Sequence, residues 1–216
     1  MIQTGDSFIN WNSFKACSDK KDVILIENGK VALLGSTVEE ITIDEEKDLL
    51  HRKQKLIFLD PNKANRIVNL EIKLSTFEPI TCFDKGPKNV TVRYEAKEIE
   101  MEIEAENHSS ALVKHELEDG LFDLFSVELL LRLLPLEIGF TNELRVFNHM
   151  VNDTITVKLD VVGLENISDG SLDVDAWKVN VFLGENLQTY WIGKDTKELL
   201  KQSVKISENV YFEFVR

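Results

Sequence analysis

The sequence predicts a mainly β fold: a curved antiparallel meander sheet or open half-barrel, with one buried apolar helix near residues 121–134. Three observations carry this reading. Apolar and polar residues alternate with period two along most of the chain, as strands with one dry and one wet face require. Turn-forming residues interrupt the alternation at short, regular intervals. One stretch, Leu121 to Leu134, abandons the alternation and reads LFDLFSVELLLRLL, a helical rather than a β-branched composition.

The elements follow in order. Val23-Ile24-Leu25-Ile26 and Val31-Ala32-Leu33-Leu34 flank Glu27-Asn28-Gly29-Lys30, and Asn-Gly supplies the two positive φ values of a type I′ hairpin turn. Thr37 to Ile43 and Leu49 to Leu59 read as separate further strands, the second ended by Asp60-Pro61-Asn62. Ile67 to Leu74 alternates, Asp84-Lys85-Gly86-Pro87 reads as a turn, and Val90, Val92 and Tyr94 alternate with Thr91, Arg93 and Glu95. In the next strand Ile99, Met101, Ile103 and Ala105 face one way and five glutamates, Glu98 to Glu106, the other. Those glutamates need cross-strand partners, for which Arg93 and Lys114 stand available.

The apolar helix takes Asp119 as its N-cap and Pro135 as its stop. Glu128 and Arg132 are four residues apart and placed to pair, and Asp123 and Ser126 lie on another side. A helix that is apolar on several sides is surrounded by protein, so it packs into the concave side of the sheet. Strands resume from Leu144 to Met150 and Thr154 to Val162, and continue through turns at Asp169-Gly170-Ser171, Gly184-Glu185-Asn186, Gly193-Lys194-Asp195-Thr196 and Glu208-Asn209. With 216 residues and no long linker, the chain reads as one β-rich domain, 1–216, able to bury a core without disulfides.

A net charge of −13 repels phosphate, which argues against nucleic acid as a partner. No apolar run is long enough to span a membrane. Residues Met1 to Asp6 lack the basic and apolar regions of a signal peptide, so a cytoplasmic location is expected, with a leader already removed left open. Cys17 and Cys82 make neither a metal motif nor a disulfide framework and read as reduced thiols.

No phosphate-binding loop, dinucleotide fingerprint or nucleophile elbow occurs, and no cofactor is expected. His108 and His115 fall on opposite faces of a strand, so neither they nor the scrambled calcium-loop pattern of Asp169, Asp173 and Asp175 is taken as a metal site. His149 and Asp153 are placed to meet across a tight turn.

The aromatic residues point further. Phe122, Phe125, Leu129, Trp177, Tyr190 and Trp191 are the candidates to line an apolar ligand cavity beneath the helix. Tyr190 and Trp191 are adjacent in a strand, so one of them must lie outside the primary core. The leading function is a non-catalytic binding protein that holds a lipid or acyl chain between sheet and helix. The alternative is a protein-interaction module or homodimer; a hydrolase ranks third, and no catalytic residue is assigned.

Several segments together resemble a known pattern: Leu129-Leu130-Leu131-Arg132-Leu133-Leu134-Pro135-Leu136, then Trp177-Lys178-Val179, then Tyr190-Trp191-Ile192-Gly193-Lys194-Asp195-Thr196-Lys197, and the closing Phe214-Val215-Arg216. Their order resembles an uncharacterised bacterial family of domain-of-unknown-function proteins over roughly Arg66 to Arg216, with Lys197 where that pattern carries arginine. The family is similar to the open β-barrel of bacterial lipoprotein carriers. The resemblance implies a curved sheet over apolar helices and carries no catalytic residues.

Overall fold

The computed structural model describes residues 1–9, 11, 14–86, 88–104, 110–169 and 172–216, the side chains at 169 and 172 excepted. Pro87, Ala105, Glu106, His108, Gly170 and Ser171, together with the Asp169 side chain, therefore lie outside the described residues.

Among the described residues, fifteen strands form one sheet. The first half comprises β1 (Cys17–Glu27), β2 (Lys30–Asp44), β3 (Leu49–Phe58), β4 (Arg66–Lys73), β5 (Pro79–Lys85), β6 (Asn89–Tyr94), β7 (Glu98–Glu104) and β8 (Ser110–Glu116). The second half comprises β9 (Phe122–Asp123), β10 (Thr141–Asn148), β11 (Asp153–Asp169), β12 (Leu172–Leu183), β13 (Asn186–Gly193), β14 (Leu199–Ser207) and β15 (Val210–Val215). Each half is a meander, and β1 pairs with β15 to join them, giving the order β8 to β1, then β15 down to β9. Among the described residues these strands pair antiparallel, except for the short parallel pairing of β9 with β10, and Ile2 adds an isolated parallel bridge to Leu144.

The β1–β2 turn has the expected geometry, with Asn28 at φ 50° and Gly29 at φ 78°. The two strands read at Val31–Leu34 and Thr37–Ile43 are one strand, β2, because a bulge absorbs the break in alternation. Val23 pairs with Gly35 and Ile24 with Leu33, which leaves Leu34 as the extra residue. Glycine is required beside the bulge: a Cβ on Gly35 would lie 2.0 Å from the Ile57 carbonyl oxygen of β3. Asp84 and Lys85, read as turn residues, belong to β5. On β7, Ile99 and Met101 are fully buried, and Lys114 pairs with Glu98 and Glu100 while Arg93 pairs with Glu102.

The expected helix over 121–134 is much shorter. Phe122 and Asp123 add to the edge of β10, a 3-10 turn spans Leu124–Ser126, and α1 is only Val127–Leu131. The N-cap is Asp123 rather than Asp119: its carboxylate accepts from the Phe125 amide at 2.7 Å. The helix ends before Pro135 because Arg132 to Leu134 turn away, with the Leu133 amide donating to Leu130 O at 2.9 Å.

Among the described residues, no backbone pairing joins β8 to β9 to close the sheet. Its two ends meet through side chains. Tyr94 on β6 donates to Asp123 at 2.5 Å, the His115 and Phe147 rings are 5.2 Å apart, His115 Nε2 meets Asn152 Oδ1 at 2.7 Å, and Arg145 pairs with Glu118. The N-terminal segment helps cover β10: the Ile2 amide donates to Glu143 O at 2.6 Å. One large apolar core lies between the inner face of the curled sheet and the segment from Leu121 to Leu136. No helix among the described residues is long and apolar enough to cross a membrane.

Candidate functional site: a cavity with a charged floor

The core does not fill the concavity. A cavity of about 700 Å³ remains between the Leu124–Glu128 segment and the inner faces of β2–β4 and β11–β15. Its apolar wall includes Leu56, Val68, Val127, Val181, Val204 and Phe214. Alternation produces this wall, since inward positions two apart on each strand bring their side chains to one face.

Charged residues on the same faces form the floor. In β3 the inward series from Leu50 places Arg52 inside, and in β2 the series through Thr37 and Ile41 places Glu39 inside. Arg52 Nε donates to Glu39 Oε1 at 2.5 Å, Nη1 donates to the Phe125 carbonyl at 2.7 Å, and Nη2 pairs with Glu128 of α1. Arg132 lies 3.8 Å from the other Glu39 oxygen, donates to the Lys197 carbonyl at 3.0 Å, and stacks over Phe14. The expected Glu128–Arg132 pair is thus replaced by two longer-range pairings.

All of these charges are buried. Burial works against Arg52, but the carboxylates of Glu128 and Glu39 outweigh it and hold the guanidinium above its ordinary pKa. Glu39 is likewise raised by burial, more than offset by Arg52 and Lys21, so its pKa is lowered. For Glu128 burial wins and its pKa is raised. Beside this floor Tyr190, Gln188 and Gln202 bond to one another: the Tyr190 hydroxyl donates to Gln188 at 2.6 Å and Gln202 Nε2 donates to Gln188 at 3.0 Å.

A second polar cluster stands next to the cavity. Arg66 forks onto both Asp84 oxygens at 2.8 and 2.6 Å, and His149 Nε2 meets Asp84 at 2.9 Å, so His149 pairs with Asp84 across the fold and not with Asp153 across its own turn. The reason is direction: the side chain packs inward against the Phe125 ring at 5.4 Å. Burial raises the Asp84 pKa, but hydrogen bonds from Arg66 and His149 outweigh it and bring it down to about 2. Burial raises Asp123 and, strongly, the Tyr94 hydroxyl and Cys82 thiol.

The six aromatic and aliphatic candidates separate. Phe125 and Tyr190 line the cavity. Phe122 and Leu129 are fully buried in the main core, and Trp177 packs half-buried against it. Trp191 lies on the opposite face of the sheet from Tyr190, in a small cluster with Ala176 and Leu200, and its indole donates to Glu165 at 2.7 Å.

A family model for a protein of unknown function, DUF3108, matches residues 64–213. The chain belongs to the DUF3108 family. The match begins just before β4, so it holds Phe125, Glu128, Tyr190 and most of the cavity wall, while Glu39 and Arg52 precede it. No curated protein matches the sequence. Among solved structures, the DUF3108 chain is similar to a β-barrel-like protein of the domain of unknown function DUF1849 from Brucella abortus. The TM-score is 0.60 at 8% identity, covering 93% of this chain and 96% of that one. At that identity the likeness shows the fold alone.

Sequence reasoning missed Glu39, Arg52, Asp84 and His149 as site residues. The available signal was the alternation itself, which puts Glu39 and Arg52 on inward faces.

Proposed function

We propose that this chain is a non-catalytic binding protein that holds an apolar ligand, a lipid or acyl chain, between the curved sheet and the Leu121–Leu136 segment. The observation that supports this reading is the unfilled cavity of about 700 Å³, whose wall is largely aliphatic and aromatic. Its size falls within the roughly 300–1,000 Å³ range of small-molecule sites. Phe125 and Tyr190 are the sequence-derived candidates that contact the ligand, and the other four support the sheet around it. An acyl chain burying roughly 300 Å² would gain about 7 kcal/mol before the costs of association and ordering.

The experiment is mass spectrometry of an organic extract of the purified protein, with native mass spectrometry alongside. The expected result is one apolar molecule per chain. An extract with no apolar molecule, from a protein that also takes up none of a series of alkyl probes, would contradict the proposal.

A further inference from the structure

A meander puts alternate turns on opposite rims of the sheet. The β1–β2, β3–β4, β10–β11, β12–β13 and β14–β15 turns share one rim. Two of its tips stand level, with the Asn28 amide donating to Asn209 O at 3.0 Å. Beside them, Lys30 to Leu34 run on past the end of β3, where Gly35 pairs with Phe58, and the Leu59 amide donates to Leu34 O at 2.8 Å. Arg66 Nη2 lies 3.7 Å from Met150 Sδ, which brings the β10–β11 turn against the start of β4. Val31, Leu33, Leu59, Met150, Val151 and Ile206 all stand at this rim, and each is at least half exposed. Exposed apolar side chains gathered in one place mark an interaction surface. Met150, Val151 and Ile206 also line the cavity, so the cavity opens through the same rim.

Charge divides the two rims. At the cavity rim Lys30, Lys63 and Lys205 stand with Glu27, Asp60 and Glu208. At the other rim Glu45, Glu46 and Asp48 follow β2, Glu78 precedes β5, Glu95 follows β6 and Glu137 precedes β10, outnumbering Lys47 and Lys97 of the same turns. In a chain of net charge −13, the end with the mouth is the one least repelled by phosphate headgroups.

We propose that this rim docks on the surface of a phospholipid bilayer, and that the cavity exchanges its apolar ligand with the bilayer there. This rests on the apolar-ligand reading above and adds where the ligand enters and what supplies it. The apolar side chains sit on separate hairpin tips around an opening. A protein spanning those tips would cap the mouth, whereas a fluid bilayer admits each tip and leaves the mouth facing acyl chains. The three lysines extend their stems along the apolar tips and their ammonium groups toward headgroup phosphates.

The test is flotation of the full chain with phosphatidylcholine vesicles. The chain is expected to float with them, and equally at about 0.15 M and about 0.5 M NaCl, because the contact is apolar. The variant Val31→Asp/Leu33→Asp should lower the partition coefficient at least about tenfold. Its uptake of 1-dodecanol in vesicle-free solution should stay unchanged, since neither residue lines the cavity. Leu59→Asp, on a separate turn, should also lower the partitioning, and Ile138→Asp, exposed at the opposite rim, should not. Circular dichroism checks the fold of each variant. Absence of flotation by a chain that takes up dodecanol, loss of flotation at the higher salt, or an equal loss in Ile138→Asp would overturn the docking and leave the apolar-ligand reading standing. Flotation of a chain that takes up no alkyl probe would overturn the exchange and that reading together.

Discussion

Arg52 on β3 and Glu128 on α1 form an ion pair in which both side chains are withdrawn from solvent. This pair ties the short helix to the sheet. The same guanidinium reaches the Phe125 carbonyl and Glu39, so one side chain fixes the segment that roofs the cavity to the strands that wall it.

Removing one partner strands the other charge in the interior. Arg52→Ala is expected to cost about 3–5 kcal/mol, measured by urea denaturation. The double variant Arg52→Ala/Glu128→Ala should cost less than the sum of the singles, because Glu128 is then no longer stranded. Additive costs would mean that the pair is not coupled.

Tyr94 and Asp123 close the sheet without backbone pairing. Tyr94→Phe removes the phenol hydrogen bond to Asp123, whose side chain is fully buried. A loss of about 1–3 kcal/mol is expected in the same assay. A neutral result would place the closure in the packing of the Tyr94 and Phe147 rings, which meet edge-on at 6.3 Å.

Asp84 sets a pH dependence. Its folded pKa of about 2 lies below the ordinary 3.8, so the folded state favours the ionised form. Its contribution to stability is complete above about pH 4 and is lost as the pH falls toward 2. Thermal unfolding of Asp84→Asn should therefore start from a lower stability at pH 7 and decline less steeply than the natural chain between pH 4 and 2. Parallel curves would assign the acid sensitivity to other carboxylates.

The two cysteines should differ in reactivity. Cys82 is buried and its thiol is pushed well above its ordinary pKa by burial and by Asp123 and Asp84, whereas Cys17 is half-buried. A thiol reagent at pH 8 should label Cys17 in the folded protein and Cys82 only on unfolding. Rapid labelling of both would show that the interior around Cys82 opens readily.

Much of the sheet was legible because a strand repeats every two residues. The glutamates of β7 and their relief by Lys114 and Arg93 follow from alternation and cross-strand pairing. The type I′ turn at Asn28-Gly29 follows from its φ demands. The helix extent was not legible. Composition favours helix through Leu134, but edge pairing of Phe122-Asp123 and the reach of Arg132 to Lys197 are tertiary effects that override propensity.

The floor of the cavity was half-legible. Alternation from Leu50 places Arg52 inside, and a buried charge demands a partner. Which partner it takes is fixed only by the curl of the sheet, since Glu39 is 13 residues away in sequence and Glu128 is 76. Tyr190 and Trp191 obeyed the rule that neighbours in a strand face opposite ways. Which of them faced the cavity depended on register with Gln202 and Lys201 of β14.

The most direct test of the cavity as a binding site is methyl-labelled NMR of the full chain titrated with 1-dodecanol. A ligand in the cavity would give saturable shifts, at one equivalent, of the methyl groups of Val68, Val181 and Val204 on the cavity wall, while Ala176 and Leu200 on the opposite face stay unmoved. Shifts confined to Ala176 and Leu200, or none at any methyl, would contradict the cavity as a binding site.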